Sequence, residues 1–341
     1  MVRRFQVADG DKLSPHRRTG RTLTREGTAS YILPTRMKPF SRTLPAILTG
    51  LSIGVLLASC PSPALGAEPA GPLAAAAHHT VAVGTNKVHY LTLGKGKSTI
   101  VFVHCWAGHA GFWREQVPAL ADQARLILVD LPGHGQSDKP QAAYTMPFFA
   151  RAVIGVLEDA KVDKAVLVGH SMGVAVICQV WKQAPEKVSA LCAIDGLLRQ
   201  PSLAAGQAEE FIGPFRSAGY REHAAAFIRS MFPIAGTEAV RDRTVADMLE
   251  TPRHVMLGAM EGMFGAGQPA WDLQKVAVPL VVINATNPMW TADYEAYVRG
   301  LSERVSYRTI SGVGHWLMLE KPAEFNAALL EEFTKYGLIN K

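Results

Sequence analysis

Ser171, inside Gly169-His-Ser-Met-Gly173, and His315, inside Gly312-Val-Gly-His315, are the residue types that can turn a hydroxyl into a nucleophile. A serine hydroxyl is weak at neutral pH unless a base takes its proton. An imidazole does this once a carboxylate holds it in the right tautomer. Two carboxylates come into consideration, Asp195 in Leu191-Cys-Ala-Ile-Asp195-Gly and Asp293 further along the chain. Ser171 directly follows the apolar, β-branched run Ala165–Val168 and precedes a helical stretch from Met172. A serine at such a strand-to-helix turn projects its hydroxyl from the sheet edge, and the flanking glycines leave room for the strained backbone. The start of the helix also directs backbone N–H groups toward developing negative charge. His315 lies on a glycine-containing loop between the strand-like Val305–Ile310 and a helix from Pro322. Most of the eleven histidines suit ordinary core or loop roles, whereas this one has the flanks of a mobile base.

The elements that must carry these residues follow from the hydropathy pattern. Thr80–Val83 and Val88–Leu93 flank a Gly-Thr-Asn-Lys turn and predict a hairpin. Thr99–Val103, Leu126–Val129, Ala165–Val168, Val188–Ile194 and Pro279–Ile283 are unbroken apolar runs, as expected for strands buried on both faces. Helix-length segments at Phe112–Gln123, Met146–Ala160 and Met172–Gln183 alternate with them, so the pattern predicts an α/β fold with a mostly parallel, doubly wound sheet. Residues 196–273 break that rhythm with helical pieces rich in Phe, Met and Ala, which predicts a small helical cap. The expected organisation is an N-terminal extension and export signal over 1–66 and a linker over 67–79. A core over 80–195 and 274–341 follows, with the cap between its two parts.

With these residues and segments in place, the chain from about Thr80 to Tyr336 resembles the α/β-hydrolase superfamily. The resemblance rests on Gly169–Gly173, on His104-Cys-Trp-Ala-Gly-His, on Asp130-Leu-Pro-Gly-His-Gly-Gln-Ser-Asp138, and on Gly312-Val-Gly-His-Trp-Leu-Met-Leu-Glu-Lys-Pro322. It implies Ser171 as nucleophile and His315 as base, with the order Ser171, Asp195, His315 also that of the fold. In many members the acid follows the strand that here ends at Ile283, but this chain continues Asn284-Ala-Thr-Asn-Pro288 with no carboxylate before Asp293. An Asn cannot supply the charge that stabilises an imidazolium. Asp195 ends the preceding buried strand, a position other members use, and a carboxylate there needs a partner. Asp195 is therefore the expected acid and Asp293 the alternative; Asp130 is read as structural. The resemblance also implies an oxyanion hole from the backbone N–H groups of Met172 and Trp106, although Cys105 stands where the family usually has Gly.

The expected activity is cleavage of a small, largely apolar carboxylic ester or lactone through an acyl-enzyme on Ser171. Trp106, Trp290, Met231, Phe232 and Phe264 are candidates for the substrate pocket. Two other readings use the same residues. One is C–C bond hydrolysis or perhydrolase/haloperoxidase-type chemistry, and the other is a non-catalytic hydrolase-fold protein that binds a small ligand. No phosphate loop, metal cluster or dinucleotide fingerprint is present, so no cofactor is expected.

The net charge of +6 does not point to nucleic acid. Residues 1–66 hold ten Lys/Arg against three acids, leaving 25 against 26 for the rest of the chain. A basic excess confined to a leader gives no binding surface. The basic flank ending at Lys38 and Arg42, then the short apolar run Leu44–Ala58, has the layout of an export signal. Two outcomes are expected with equal weight: cleavage near Ala64-Leu-Gly66, giving a secreted or periplasmic protein, or lipidation at Cys60 of Leu57-Ala-Ser-Cys60, giving membrane attachment. Met37 is a second candidate start. Cys105, Cys178 and Cys192 lie in apolar segments without metal-type spacing and read as buried small residues.

Overall fold

The computed structural model describes residues 71–339. The leader over 1–66, Cys60 included, lies outside the described residues, as do the first four residues of the linker.

Eight strands form one sheet: β1 (Ala77–Val83), β2 (Asn86–Leu93), β3 (Thr99–Val103), β4 (Arg125–Val129), β5 (Ala165–His170), β6 (Val188–Ile194), β7 (Leu280–Ala285) and β8 (Val305–Ile310). Their order is β1-β2-β4-β3-β5-β6-β7-β8. The first two strands pair antiparallel, β2 runs antiparallel to β4, and every pairing from β4 to β8 is parallel. This is the α/β-hydrolase fold, with helices packed on the sheet. The central strands read as continuous apolar runs because both faces are covered: every residue of β5 and β7 is buried. β1 begins at Ala77, three residues ahead of the strand read from sequence, and its pairing with β2 runs from Ala77 opposite Thr92 to Val83 opposite Asn86.

The order decides where a site can form. The chain leaves β3 outward to β4, then returns to build β5 on the other side of β3. Strand order reverses there, and in open α/β sheets ligands sit at the carboxyl ends of strands flanking such a point. The register places Val103 of β3 opposite Gly169 of β5, so the loop after β3 and the turn after β5 emerge side by side.

Of the helices in the outer layers, α1 (Val117–Leu120), α2 (Met146–Asp159) and α3 (Met172–Gln183) belong to the first half of the sheet. Sequence periodicity predicts one helix over Phe112–Gln123, but the chain instead forms a 3₁₀ segment (Ala110–Gln116) and then the single turn α1. Pro118 explains the break, since it has no N–H to donate to a preceding turn. Between β6 and β7 lie four helices: α4 (Gln207–Arg216), α5 (Tyr220–Ser230), α6 (Glu238–Met248) and α7 (Arg253–Phe264). The second half of the sheet is completed by α8 (Ala292–Arg299), the short α9 (Leu317–Glu320) and α10 (Pro322–Lys335). Large aromatic side chains, Trp113, Phe102, Phe149 and Phe325 among them, are fully buried against the sheet. Among the described residues, no helix is long and apolar enough to cross a membrane.

Candidate active site

Ser171 is the hinge between β5 and α3, with φ 54° and ψ −116°. A non-glycine residue is rarely held there, and such strain persists only where the surroundings impose it. The Ser171 N–H donates to the Ile194 carbonyl at 3.0 Å, tying the turn to the end of β6. A Cβ on Gly173 would lie 2.4 Å from the Val103 carbonyl oxygen, so only glycine lets the start of α3 press against the loop after β3. The Ser171 hydroxyl does not cap its own helix.

His315 is tied to this turn through His170, the residue before Ser171, whose Nε2–H donates to the His315 carbonyl at 2.9 Å. The two imidazole centroids are 4.6 Å apart. Burial, reinforced by the adjacent His315, pushes His170 well below the usual histidine range, so it stays neutral and serves as a fixed donor. The loop carrying His315 is held from two other directions. Glu320 accepts from the Gly314 N–H at 2.9 Å and from the Trp316 N–H at 3.2 Å, bracketing the histidine. Burial raises the Glu320 carboxyl, and these two donors oppose the rise. From the inserted helices, the Met231 carbonyl accepts the His315 N–H at 3.1 Å. A Cβ on Gly314 would meet that carbonyl oxygen at 2.5 Å.

Asp195 directly follows β6, buried, with φ 42°. Its Oδ2 accepts from His315 Nδ1 at 2.6 Å. Its Oδ1 accepts from the Ala285 N–H at 2.8 Å and from the Trp290 indole N–H at 3.2 Å. Both oxygens are therefore oriented, and the carboxylate fixes the tautomer in which Nε2 of His315 is free to accept a proton. Asp293, the alternative acid, is exposed in the first turn of α8. The structure thus brings His315 together with Asp195 and not with Asp293. Asn284, in β7, is fully buried and donates to the Tyr307 hydroxyl at 3.3 Å.

Met172 is the first residue of α3, so its N–H has no partner within the helix. The Trp106 N–H lies on the neighbouring loop and likewise has no acceptor among the described residues. These are the two groups assigned to an oxyanion hole from sequence. Cys105 is buried, and burial pushes its thiol up to about 12, which suits a packing residue. His104 steadies the loop from below: its Nδ1–H donates to the Cys105 carbonyl at 2.7 Å while Nε2 accepts the Leu131 N–H at 3.0 Å. Burial lowers its pKa to about 4, which keeps it neutral. Asp130 holds the same loop at its far end by accepting the Ala110 N–H at 2.7 Å. Burial alone would raise the Asp130 carboxyl, but its hydrogen bonds from His89, Ala110 and Gln136 outweigh this and hold it low.

The pocket candidates divide. Trp106 is buried, with its indole N–H on the Met256 carbonyl at 2.9 Å and its ring edge-on to Phe215 and Phe227. Phe232 stacks on Trp316 at 4.6 Å and 9°. Both therefore brace the loops of the site. Met231 and Phe264 are half-buried, and Phe264 packs edge-on against Phe211. Trp290 is a hydrogen-bond donor to Asp195, a contact its sequence neighbourhood does not announce. Among the described residues, no group of three or more His, Cys, Asp or Glu is placed to hold a metal ion.

A model of the α/β-hydrolase fold matches residues 98–241 of this sequence. Over that segment the chain is similar to the α/β-hydrolase superfamily, and the sheet order described above is that of its fold. It is 27% identical over 269 residues to the dihydrolipoyllysine-residue acetyltransferase component of the acetoin cleaving system of Cupriavidus necator, covering 75% of this chain and 69% of that protein. It is 39% identical over 120 residues to the hydrolase YugF of Bacillus subtilis, covering 34% of this chain and 44% of that one. Among solved structures, a thermophilic esterase from Thermogutta terrifontis superposes with a TM-score of 0.67 at 22% identity, covering 76% of this chain and 98% of the esterase. The enol-lactonase from Burkholderia xenovorans LB400 does so with a TM-score of 0.67 at 20% identity, covering 75% and 100%. At these identities the solved structures speak for the fold.

Proposed function

We propose that the protein is a serine hydrolase that cleaves a small, largely apolar carboxylic ester or lactone through an acyl-enzyme on Ser171. The observation that carries this reading is the Asp195–His315 pair, its carboxylate oriented on both oxygens and its imidazole docked beside the strained Ser171 turn. In this mechanism Ser171 Oγ attacks the carbonyl carbon as His315 Nε2 takes the hydroxyl proton. The carbonyl oxygen becomes an oxyanion facing the Met172 and Trp106 N–H groups. The proton passes from Nε2 to the departing alkoxide, leaving the acyl group on Ser171. Water then gives its proton to Nε2, attacks the acyl carbon and releases the acid with Ser171 restored. The esterase and the enol-lactonase among the similar solved structures are consistent with this chemistry.

The test is covalent labelling. A fluorophosphonate probe should add one equivalent to the folded protein, and peptide mass spectrometry should place it on Ser171. Folded protein that takes up no probe would refute the serine mechanism.

Trp290 gives a second expected result. Trp290→Phe keeps the ring packing against Tyr294, at 5.3 Å, but removes the indole donor to Asp195. Loss of one hydrogen bond to a buried carboxylate should cost about 2 kcal/mol of stability in urea unfolding. The kcat for an activated ester should fall several-fold as the acid gains freedom. Unchanged values for both would mean that Ala285 alone orients Asp195.

A further inference from the structure

Cys105, Trp106, Ala107 and Gly108 form a tight turn closed by the Gly108 N–H donating to the Cys105 carbonyl at 3.1 Å. Ala107 is its third residue, with φ 55°. That position belongs to a turn type that normally requires glycine, and an alanine placed there relaxes to negative φ unless something prevents it. Two contacts from the inserted helices reach the turn. The Thr251 hydroxyl donates to the Ala107 carbonyl at 3.1 Å, and the Trp106 indole N–H donates to the Met256 carbonyl at 2.9 Å. Thr251 is buried between α6 and α7, and its hydroxyl has no other assigned partner among the described residues.

We propose that Thr251 is a positioning residue for catalysis: its hydroxyl holds Ala107 in the left-handed conformation and so keeps the Trp106 N–H directed into the oxyanion hole. This inference rests on the serine-hydrolase reading above. Thr251 touches the turn and not the reacting atoms. Relaxing Ala107 rotates the Trp106–Ala107 peptide, and the Trp106 backbone moves with it. The inserted helices would then do more than shape a pocket, because one of their connections completes the machinery that binds the transition state.

The experiment is a double-mutant cycle on the full chain with p-nitrophenyl butyrate as substrate. Complete loss of one oxyanion donor costs 10²–10³-fold, so partial misplacement in Thr251→Val should lower kcat by about tenfold, with KM changed less than about twofold. Thr251→Ser, which keeps the hydroxyl, should restore kcat. Glycine holds positive φ without penalty, so in an Ala107→Gly background the same Thr251→Val change should cost less than about twofold. Equal losses of kcat in the two backgrounds would overturn the proposal. So would a lowered Tm with kcat of the folded enzyme unchanged. Hydrogen exchange at the Gly108 amide gives a readout independent of turnover: it should accelerate in Thr251→Val, and unchanged exchange overturns the proposal. If the wild-type protein neither turns over the ester nor takes a fluorophosphonate on Ser171, the functional reading fails. Accelerated Gly108 exchange in Thr251→Val relative to that wild type would still support the Thr251 latch.

Discussion

Ser171→Ala should lower kcat on p-nitrophenyl butyrate by about 10⁶-fold and abolish fluorophosphonate labelling, while the fold survives. The magnitude is that of removing the nucleophile from a serine–histidine–acid unit, whose members act together. The fold should survive because the Ser171 hydroxyl does not cap α3, and the anchoring bond to Ile194 uses the backbone N–H, which alanine keeps. Alanine also meets the same positive φ as serine, so the strain of the turn is common to both. Circular dichroism and Tm close to wild type, together with loss of turnover, are the expected pair. Retained turnover in a homogeneous Ser171→Ala preparation would show that another group attacks the substrate.

Asp195→Asn should lower kcat by about 10⁴-fold, with Asp293→Asn within about twofold of wild type. The structure supplies the reason in atomic terms. Asp195 Oδ1 receives two donors, the Ala285 N–H and the Trp290 indole N–H, so an asparagine there must place its carbonyl oxygen at that position. Its amide NH₂ then faces His315 Nδ1 in place of the Oδ2 acceptor. Nδ1 can accept that donor only by surrendering its own proton to Nε2. The imidazole would present an N–H to Ser171 and could not take the hydroxyl proton. Asp293 is exposed on α8 and has no part in this network, so its replacement should leave the tautomer alone. Steady-state kinetics on both variants decides the matter, and a large loss confined to Asp293→Asn would reverse the assignment of the acid.

How much of this was legible before the structure depends on whether the signal is local. The turn around Ser171 is written in five consecutive residues between an apolar run and a helix, and β5 and α3 form there. Asp195 was legible for a similar reason, as a carboxylate closing a buried strand. The broken helix after Ala110 was not, because apolar periodicity continues through Pro118 while the hydrogen-bond ladder cannot. The roles of Trp290 and Thr251 were beyond the sequence altogether. Each depends on one hydrogen bond to a residue 95 and 144 positions away respectively, and neither leaves a trace in spacing or hydropathy. Phe232 has a partner that spacing does not disclose either: its ring is stacked on Trp316.

The contacts that fasten the inserted helices to the sheet have a consequence for anyone who wishes to change what this protein accepts. Met231 holds the His315 loop through its carbonyl, Phe232 packs on Trp316, and Thr251 and Met256 hold the Trp106 turn. A segment transplanted from a relative over β6 to β7 would bring a new lining but discard four supports of the reacting groups. Swaps that retain residues 231–233 and 251–256, keep Phe215 and Phe227 against the Trp106 ring, and vary the rest of α4 and α5 should exchange selectivity at little cost in rate. Wholesale replacement should yield well-folded but slow chimeras.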